Sequence, residues 1–432
     1  GFSTYMNDSI IIIGAVGDNN ARGAAYFYEK DVTGLWIEKQ KLIPPVVLFD
    51  VENFGAKITT FKGRLVIGAP RDNHDALESN PIFETGSAYV FERDISGTWI
   101  YSNQKLVAPI RSQDDFFGTS VICTENEVFI NSHLNDLNGN DNSFIKDAGA
   151  VYLFDIDAMG KFFLKQKIVS SNRIVNGFFG LSMAATNDYI LIGESGDGLN
   201  PNTSPHAGAA YIYTKDANSG LWVEHQKLTP SDGQNADRFG FRVAFSGNYA
   251  VIGAFNQDYD ELNNTPLSDA GATYIYKRNA SDVWIEVQKI VAPDRAIGDN
   301  FGSAVAIWDS TILVVARYED EDENGQNTLT DVGSAYIFEA CPSSLATDTQ
   351  IACGSYSWID GLTYTSSTQD DTFTIPNALG CDSIITLNLT VHPIYSIIEA
   401  VVECDVYNWN SLSLTQSGSY VATGKNQYGC DS

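Results

Sequence analysis

The stretch FGFRVAFSGNYAVIGAFNQDYDELNNTPLSDAGATYIYKRNASDVWIEVQKI, residues 239–290, contains one complete unit of the pattern that decides the fold. It opens with Phe239-Gly240, passes through Ile252-Gly253-Ala254 and through Gly271 with Tyr274 three residues later, and closes with Trp284 and Gln288-Lys289-Ile290. Four short segments rich in Val, Ile, Tyr and Phe alternate with Gly, Asn and Asp turns, and no helical period competes with them. The unit therefore predicts a four-stranded antiparallel β-sheet.

The same unit recurs along residues 1–340. Phe-Gly pairs begin at Phe54, Phe117, Phe179, Phe239 and Phe301, at spacings of 63, 62, 60 and 62 residues. The Gly-to-Tyr segment occurs six times, and the segment from an aromatic residue to Gln-Lys and Leu or Ile occurs five times. We interpret the aromatic and Gln-Lys columns as features of blade packing and of the outer strand. One sheet cannot bury both faces alone, but six packed around an axis can, with Gly and Ala at the narrow centre. We expect an all-β chain whose residues 1–340 form a six-bladed β-propeller.

Charge and composition exclude several classes of partner. The 432 residues contain 26 Lys and Arg against 54 Asp and Glu, a formal charge of −28. Such a chain repels polyanions, including nucleic acids and anionic membrane surfaces. No apolar run approaches the roughly 18 residues that a membrane-spanning helix needs. We therefore expect no nucleic-acid partner and no membrane insertion.

Residues 341–432 follow a different pattern, which contains five of the six cysteines. One unit runs from Cys353 to Gly380-Cys381-Asp382-Ser383, and a second runs from Cys404 to Gly429-Cys430-Asp431-Ser432. We expect an Ig-like β-sandwich module over residues 341–393 and the start of a second, truncated module over residues 394–432. Small modules of this kind profit from disulfides, which favours export to an oxidising compartment.

The loops between the second and third predicted strands concentrate acidic and amide side chains. Counted from Gly68, Asn131, Gly253 and Val315, the position five residues later holds Asn73, Asp136, Asp258 and Asp320, and the position seven later holds Asp75, Asn138, Asp260 and Asp322. The position sixteen later holds Glu84, Asp147, Asp269 and Asp331, and Asn324 joins the last loop. Such clusters repel themselves without a hard cation, and Ca²⁺ prefers carboxylate, amide and carbonyl oxygens. The sequence therefore predicts Ca²⁺ sites here, and solvated acidic loops are the alternative.

These units resemble FG-GAP repeats, the blades of integrin-α-type propellers and of many bacterial surface proteins. The resemblance implies the propeller fold and a calcium loop, which Asp320-x-Asp322-x-Asn324-Gly325 matches at its opening. Thr328 stands at the ninth position, where the family usually has an acidic residue. The C-terminal units resemble repeats of large secreted adhesins of Bacteroidota, cargo of the type IX secretion system.

The two copies of the C-terminal unit predict how the cysteines pair. We expect Cys353 to pair with Cys381, and Cys404 to pair with Cys430 where its module is complete, while Cys341 has no predicted partner. Because Cys123 alternates with Val121 in a predicted core strand, we expect it to be a buried free thiol.

No constellation in the sequence indicates catalysis. The five histidines are dispersed, without zinc-ligand spacing, and neither a nucleophile elbow nor a phosphate-binding loop occurs. We expect a non-enzymatic, secreted cell-surface adhesin or appendage protein that binds a protein, a glycan or copies of itself. The alternative is an accessory binding domain of a secreted hydrolase whose catalytic part lies outside this chain.

The last expectation concerns closure of the propeller. The first three strands have six copies, whereas no Trp…Gln-Lys-Leu segment follows Phe338. A three-stranded blade would expose an unpaired edge. We expect that residues upstream of Gly1, or a strand from a neighbouring subunit, pair with the Gly333–Phe338 strand, and a seventh blade upstream is a variant of the same expectation.

Overall fold

The computed structural model describes residues 1–45, 51–61, 63–125, 127–196, 207–264, 266–320, 329–340, 344–376 and 382–431. The chain divides into two compact units, Gly1–Ala340 and Cys341–Ser432. Within the described residues, no helix has the length and apolar character required to cross a membrane.

The first unit consists of antiparallel sheets built from consecutive strands. The first sheet contains β1 (Ser3–Met6), β2 (Ile10–Ala15), β3 (Ala24–Lys30) and β4 (Trp36–Leu42), with the short helix α1 (Asp18–Ala21) before β3. The second contains β5 (Ile58–Phe61), β6 (Arg64–Ala69), β7 (Ser87–Arg93) and β8 (Trp99–Leu106), and the third β9 (Val121–Cys123), β10 (Glu127–Ser132), β11 (Ala150–Ile156) and β12 (Phe162–Ile168).

The later sheets repeat this order. The fourth contains β13 (Met183–Ala185), β14 (Tyr189–Glu194), β15 (Ala209–Lys215) and β16 (Trp222–Leu228), and the fifth β17 (Arg242–Ser246), β18 (Tyr249–Ala254), β19 (Ala272–Arg278) and β20 (Trp284–Ile290). The sixth has three strands, β21 (Phe301–Trp308), β22 (Thr311–Ala316) and β23 (Ser334–Glu339). The prediction of an all-β propeller of repeated four-stranded sheets is confirmed.

A bulge recurs where the third strand of a complete sheet pairs with the fourth. In the fifth sheet Ile275 pairs with Gln288 while Tyr276 pairs with Glu286, so Val287 is the extra residue. The shift falls at the corresponding place in the first four sheets. Because a bulge changes which way the following side chains point, it sets the direction of the Gln and Lys side chains that end each fourth strand.

Apolar side chains join each sheet to the next one. Among the described residues of the first unit, buried apolar side chains form five clusters, one between each pair of consecutive sheets. The backbones approach closely there, since a Cβ added to Gly253 would lie 2.1 Å from the carbonyl oxygen of Gly302. The outward face of the sixth sheet is open by contrast, with Ile337 73% exposed where the equivalent Ile275 is 0% exposed.

The second unit contains a small mixed sheet and two hairpins. Its strands are β24 (Ser344–Cys353), β25 (Tyr356–Ser357), β26 (Thr363–Tyr364), β27 (Thr372–Pro376), β28 (Asp382–His392), β29 (Tyr407–Trp409) and β30 (Leu412–Leu414). Strand β28 pairs parallel with β24 and antiparallel with β27, while β25–β26 and β29–β30 are hairpins. Trp358, Leu387 and Leu389 form the buried core of this unit.

The predicted disulfide pairing is wrong, because Cys353 is bonded to Cys430, with 5.5 Å between the Cα atoms. The parallel pairing places Cys353 opposite His392 at the end of β28. The last described turn lies beside that end, since the Tyr428 ring stacks on His392 at 4.1 Å between centroids. The partner of Cys353 therefore comes from the second copy of the repeat and not from its own.

The remaining cysteines differ in their surroundings. Cys404 is an exposed free thiol, whereas its predicted partner is taken by Cys353. Cys123 is free, as predicted, but half-buried, with its Sγ 3.1 Å from the Thr59 hydroxyl. Cys341 and Cys381 lie outside the described residues.

Candidate metal-binding loops

The loop from the second to the third strand closes in the same way in four sheets. The side-chain oxygen of the residue at position five accepts a hydrogen bond from the backbone N–H of the residue at position sixteen. The pairs are Asn73 with Glu84 at 2.7 Å, Asp136 with Asp147 at 2.6 Å, Asp258 with Asp269 at 2.8 Å, and Asp320 with Asp331 at 2.6 Å. The structure thus brings these two predicted positions together, with a main-chain donor between them.

The residues at position seven cap a turn of their own. Asp75, Asn138 and Asp260 each accept hydrogen bonds at one side-chain oxygen from the backbone N–H groups two and four residues later, at 2.9–3.2 Å. Asp322 and Asn324 lie outside the described residues. Many of the side-chain oxygens predicted to bind metal therefore also accept backbone hydrogen bonds that hold the loops in shape.

An arginine from the segment that follows the fourth strand fastens three of these loops. The carbonyl oxygens of Asn73, Asp136 and Asp258 accept hydrogen bonds from Nη2 of Arg111, Arg173 and Arg295, at 2.5, 3.0 and 2.8 Å. A charged donor to a carbonyl is stronger than a neutral one. Each loop is therefore held from both sides, by its own backbone and by the segment that leads to the next sheet.

One cluster has the compactness of a metal site. Among the described residues, Asp72, His74 and Glu78 alone form a group of three or more His, Cys, Asp or Glu side chains with ligand atoms all within 4.8 Å of one another. Asp258, Asp260 and Asp269 are described and do not form such a group. Sequence reasoning missed this cluster because it treated His74 as isolated, although Asp72-x-His74 was the available signal.

A buried lysine already neutralises that cluster. Lys105 Nζ lies 2.8 Å from Asp72 Oδ2 and 2.7 Å from Glu78 Oε2, and the lysine side chain is 0% exposed. Lys105 is the lysine of the Gln-Lys pair in β8. The equivalent lysines form ion pairs in three other sheets, Lys41 with Asp18, Lys167 with Asp141, and Lys289 with Asp232, at 2.7, 2.6 and 2.5 Å. The Gln-Lys column therefore supplies cations to the acidic loops, beyond the packing role that we inferred from the sequence.

The loop of the fifth sheet, between β18 and β19, keeps two carboxylates outside the lysine ion pair. Its Asp258 and Asp269 lie outside the ion pair that Lys289 makes with Asp232. Burial, and then the charge of Asp258, raise the pKa of Asp269. When one carboxylate raises the pKa of another, the two repel each other, and a bound cation relieves that repulsion. Asp258, Asp260 and Asp269 remain the predicted calcium ligands of this loop.

A buried carboxyl group precedes four of the Phe-Gly pairs by two residues. These groups belong to Glu52, Asp115, Asp237 and Asp299. Burial is the largest cause that raises their pKa, to about 7 for Glu52 and Asp237 and to about 6 for Asp115 and Asp299. Ordinary carboxyl groups titrate near pH 4.

The fourth sheet obtains its buried carboxyl group from another strand. Gly177 stands at the position of the acidic residue, and a Cβ added there would lie 3.0 Å from Oε1 of Glu194. Glu194 ends β14, and its Oε2 accepts a hydrogen bond of 2.7 Å from the Tyr211 hydroxyl. Burial raises the pKa of Glu194 to about 7. The carboxyl group of Glu194 thus occupies the space that a side chain at residue 177 would take.

These pKa shifts link the stability of the propeller to pH. Each folded-state pKa lies above the ordinary value, so the folded state binds more protons than the unfolded chain between about pH 4 and pH 7. The free energy of unfolding that these groups contribute therefore falls as pH rises through that window.

Two cationic side chains near the centre of the sheets repel each other. Lys57 lies just before β5 and Arg242 begins β17, and the first strands of successive sheets contact one another. Burial, and then the charge of Arg242, lower the pKa of Lys57. The described residues provide Lys57 with no carboxylate within ion-pair distance. Even a half-buried cation such as Lys57 costs stability when no carboxylate pairs with it.

A polar cleft is lined by charged side chains that include Arg64, Glu127 and Lys215. Glu127, in its lining, accepts hydrogen bonds from Lys165, Lys215 and the indole N–H of Trp222, at 2.7, 2.8 and 2.9 Å. Burial alone would raise its pKa, but these three donors lower it. Glu127 is therefore an anion that joins the third sheet to the fourth.

Solved structures that resemble this chain include two bacterial proteins. A functionally unknown protein from Desulfotomaculum acetoxidans DSM 771 matches with a TM-score of 0.37 and 10% identity, over 66% of this chain and 69% of that chain. A protein from Lactobacillus plantarum matches with a TM-score of 0.44 and 9% identity, over 78% of this chain and 88% of that chain. No curated protein matches the chain in sequence.

Two segments of the chain match the model of the FG-GAP repeat family, residues 222–276 and 284–338. Each match begins at the aromatic residue that opens a fourth strand, and each ends within the third strand of the following sheet. The fifth and sixth sheets of the propeller are therefore built from FG-GAP repeats.

Proposed function

We propose that this chain is a non-enzymatic binding protein of the extracellular medium or the cell surface, an adhesin or appendage protein. Its propeller binds a protein, a glycan or further copies of the same chain. The observation that supports this function best is the use of the acidic side chains at the loops. Asp72 and Glu127, for example, are held by lysines and by other donors, and groups so held build a rigid surface more readily than they transfer protons.

The chemistry of the second unit supports an extracellular location. The Cys353–Cys430 disulfide joins residues separated by 77 positions, and such bonds persist in oxidising compartments. The resemblance of the C-terminal repeats to secreted adhesins makes type IX secretion the proposed route of export.

Calcium is the proposed stabilising ion of the acidic loops. In the loop of the fifth sheet, between β18 and β19, the proposed ligands are Asp258, Asp260 and Asp269. In the corresponding loop of the sixth sheet, the proposed ligands are Asp320, Asp322, Asn324 and Asp331. In the corresponding loops of the second and third sheets, a lysine already forms an ion pair with an aspartate, which makes these two loops poorer candidates for calcium binding. When bound, Ca²⁺ would neutralise carboxylates that otherwise repel one another.

The calcium proposal is tested by the melting temperature of the 432-residue chain in calcium and in chelator. A ligand bound only by the folded state stabilises it by about 2.7 kcal/mol per site at a hundredfold excess over Kd. The double variant Asp258→Asn with Asp269→Asn should lose the share of the calcium response that comes from this one loop, about half if both loops bind. The matched variant Asp188→Asn, at an exposed turn, should keep the full response. An identical melting temperature in calcium and chelator contradicts the calcium proposal.

The binding function is tested separately, with the same chain on a glycan array and in pull-downs from extracellular material. Saturable binding that a soluble competitor displaces supports the proposal. Turnover of a bound glycan or peptide by the purified chain would contradict it, because it would make the chain an enzyme.

A further inference from the structure

A glutamine links each fourth strand to the fourth strand of the next sheet. Gln226 Nε2 donates to the carbonyl oxygen of Trp284 at 2.7 Å, and the backbone N–H of Trp284 donates to Gln226 Oε1 at 2.8 Å. Gln40 bonds Trp99 in the same two ways, and Gln166 does so with Trp222. Gln104 accepts from the N–H of Phe162 and donates to the nearby Gly160 carbonyl. In each case the partner is the first residue of a fourth strand or lies just before it.

The fifth glutamine of this column lacks the corresponding partner. Gln288 Oε1 is buried and accepts no hydrogen bond from any described residue. Leaving a buried acceptor unsatisfied is costly. Its partner would be the first residue of a fourth strand in the sixth sheet, and that sheet has three strands among the described residues. Gln288 is therefore one half of a pair whose other half the described residues do not supply.

The lysine column has a gap at the same place. Five lysines lie over the tyrosine of the neighbouring third strand, with 5.2–5.6 Å from Nζ to the ring centroid. In the fifth sheet Tyr274 donates to Asp232, and Lys289 forms an ion pair with that same aspartate. In the sixth sheet Tyr336 donates to Asp294 at 2.8 Å, and the described residues place no lysine beside either side chain.

These features converge on the outer edge of β23. Among the described residues, β23 pairs with β22 and with no second strand. We propose that this edge accepts an extended segment from outside these 432 residues, with an aromatic first residue and a lysine at the sixth position. The segment adds antiparallel to β23 as a fourth strand, a mode of recognition in which backbone hydrogen bonds give affinity and side-chain pockets give specificity.

The fifth sheet defines how the segment would lie. There Trp284 pairs with Arg278, and Lys289 pairs with Tyr274 after the bulge. Transferred to the sixth sheet, the aromatic residue lies opposite Ala340 and the lysine opposite Tyr336. The backbone of the aromatic residue then meets Gln288, and the lysine meets Asp294.

The complete segment, an aromatic residue followed by Gln-Lys, has no unused copy in the chain. Gln-Lys occurs five times in the sequence, and all five copies already lie in fourth strands. The occupant therefore comes from other polypeptide. This inference concerns the edge of the sixth sheet, and it does not depend on the ligand or the calcium sites of the proposed function.

The test uses a fluorescent peptide with the sequence of residues 281–292 and the complete 432-residue chain. We expect saturable binding, at least about tenfold tighter than for a scrambled peptide or for peptides with Trp→Ala or Lys→Glu. The variants Gln288→Leu and Asp294→Asn, whose native side chains lack these partners, should fold and each weaken binding by about tenfold.

Amide hydrogen exchange locates the bound peptide. Exchange should slow at Ser334–Glu339 when the wild-type peptide is added and should not change with the scrambled peptide. Equal binding of the scrambled peptide, unchanged affinity in both variants, or protection elsewhere than in β23 would each overturn the proposal.

Discussion

Replacing the linking glutamine should destabilise one sheet strongly and the next sheet hardly at all. Gln226→Leu removes two hydrogen bonds, of 2.7 and 2.8 Å, to the backbone of Trp284. Gln288→Leu, at the equivalent position of the next fourth strand, removes a buried oxygen that has no described partner. Both glutamines are half-buried, so the two variants differ mainly in the hydrogen bonds that are lost.

The magnitude follows from those bonds. Each hydrogen bond contributes about 1 kcal/mol net, and each backbone group left unpaired in a buried place costs about 1–3 kcal/mol. Gln226→Leu should therefore lower the free energy of unfolding by about 2–4 kcal/mol. A unit of 340 residues has an unfolding entropy of about 0.7 kcal/mol/K, so its melting temperature should fall by about 3–6 °C. Gln288→Leu should change it by about 1 °C or less.

Differential scanning calorimetry of the two variants and the wild-type chain measures this difference directly. Circular dichroism at low temperature controls for the native fold. Equal destabilisation by the two substitutions would refute the reasoning, because it would show that Gln288 makes a bond as valuable as the pair of Gln226.

Three further predictions concern buried charge and the disulfide. Lowering the pH from 8 to 6 should raise the free energy of unfolding by about 1 kcal/mol for each carboxyl group with a folded-state pKa near 7. Glu194→Gln should reduce this pH dependence by the contribution of one such group. A pH-independent melting temperature in this range would contradict the raised pKa values. Lys57→Met should raise the melting temperature, because it removes a half-buried cation that Arg242 repels, and a lower value in thermal scans would show that the ammonium has a partner. Cys353→Ser should destabilise the second unit by about 2–5 kcal/mol, and non-reducing peptide mapping should find Cys353 joined to Cys430 and Cys404 free for alkylation.

The repeat could be predicted from the sequence because each column of the pattern has its own physical cause. Phe239 is fully buried between sheets, and Gly253 leaves no space for a Cβ. Each requirement restricts the residue type at one position, so the period is visible in a single sequence.

Other features depend on contacts between distant positions and were missed for that reason. Lys105 neutralises Glu78, which lies 27 residues earlier in the chain, and a pattern of residue types along the sequence does not show which charges meet. Glu194 replaces a carboxyl group that the repeat places at residue 177. The Cys353–Cys430 bond joins two copies of a repeat, whereas the sequence analysis treated each copy as a separate module.

The open edge of the sixth sheet is the central claim of this account, and amide hydrogen exchange of the isolated chain tests it most directly. The comparison is between β23 and β19, which occupy the same place in their sheets but have one and two neighbouring strands. The edge-facing amides of Ser334–Glu339 should exchange as readily as loop amides, and those of Ala272–Arg278 should exchange only through large-scale unfolding. Equal protection of β23 and β19 would contradict the account, because it would show that the sixth sheet is already complete.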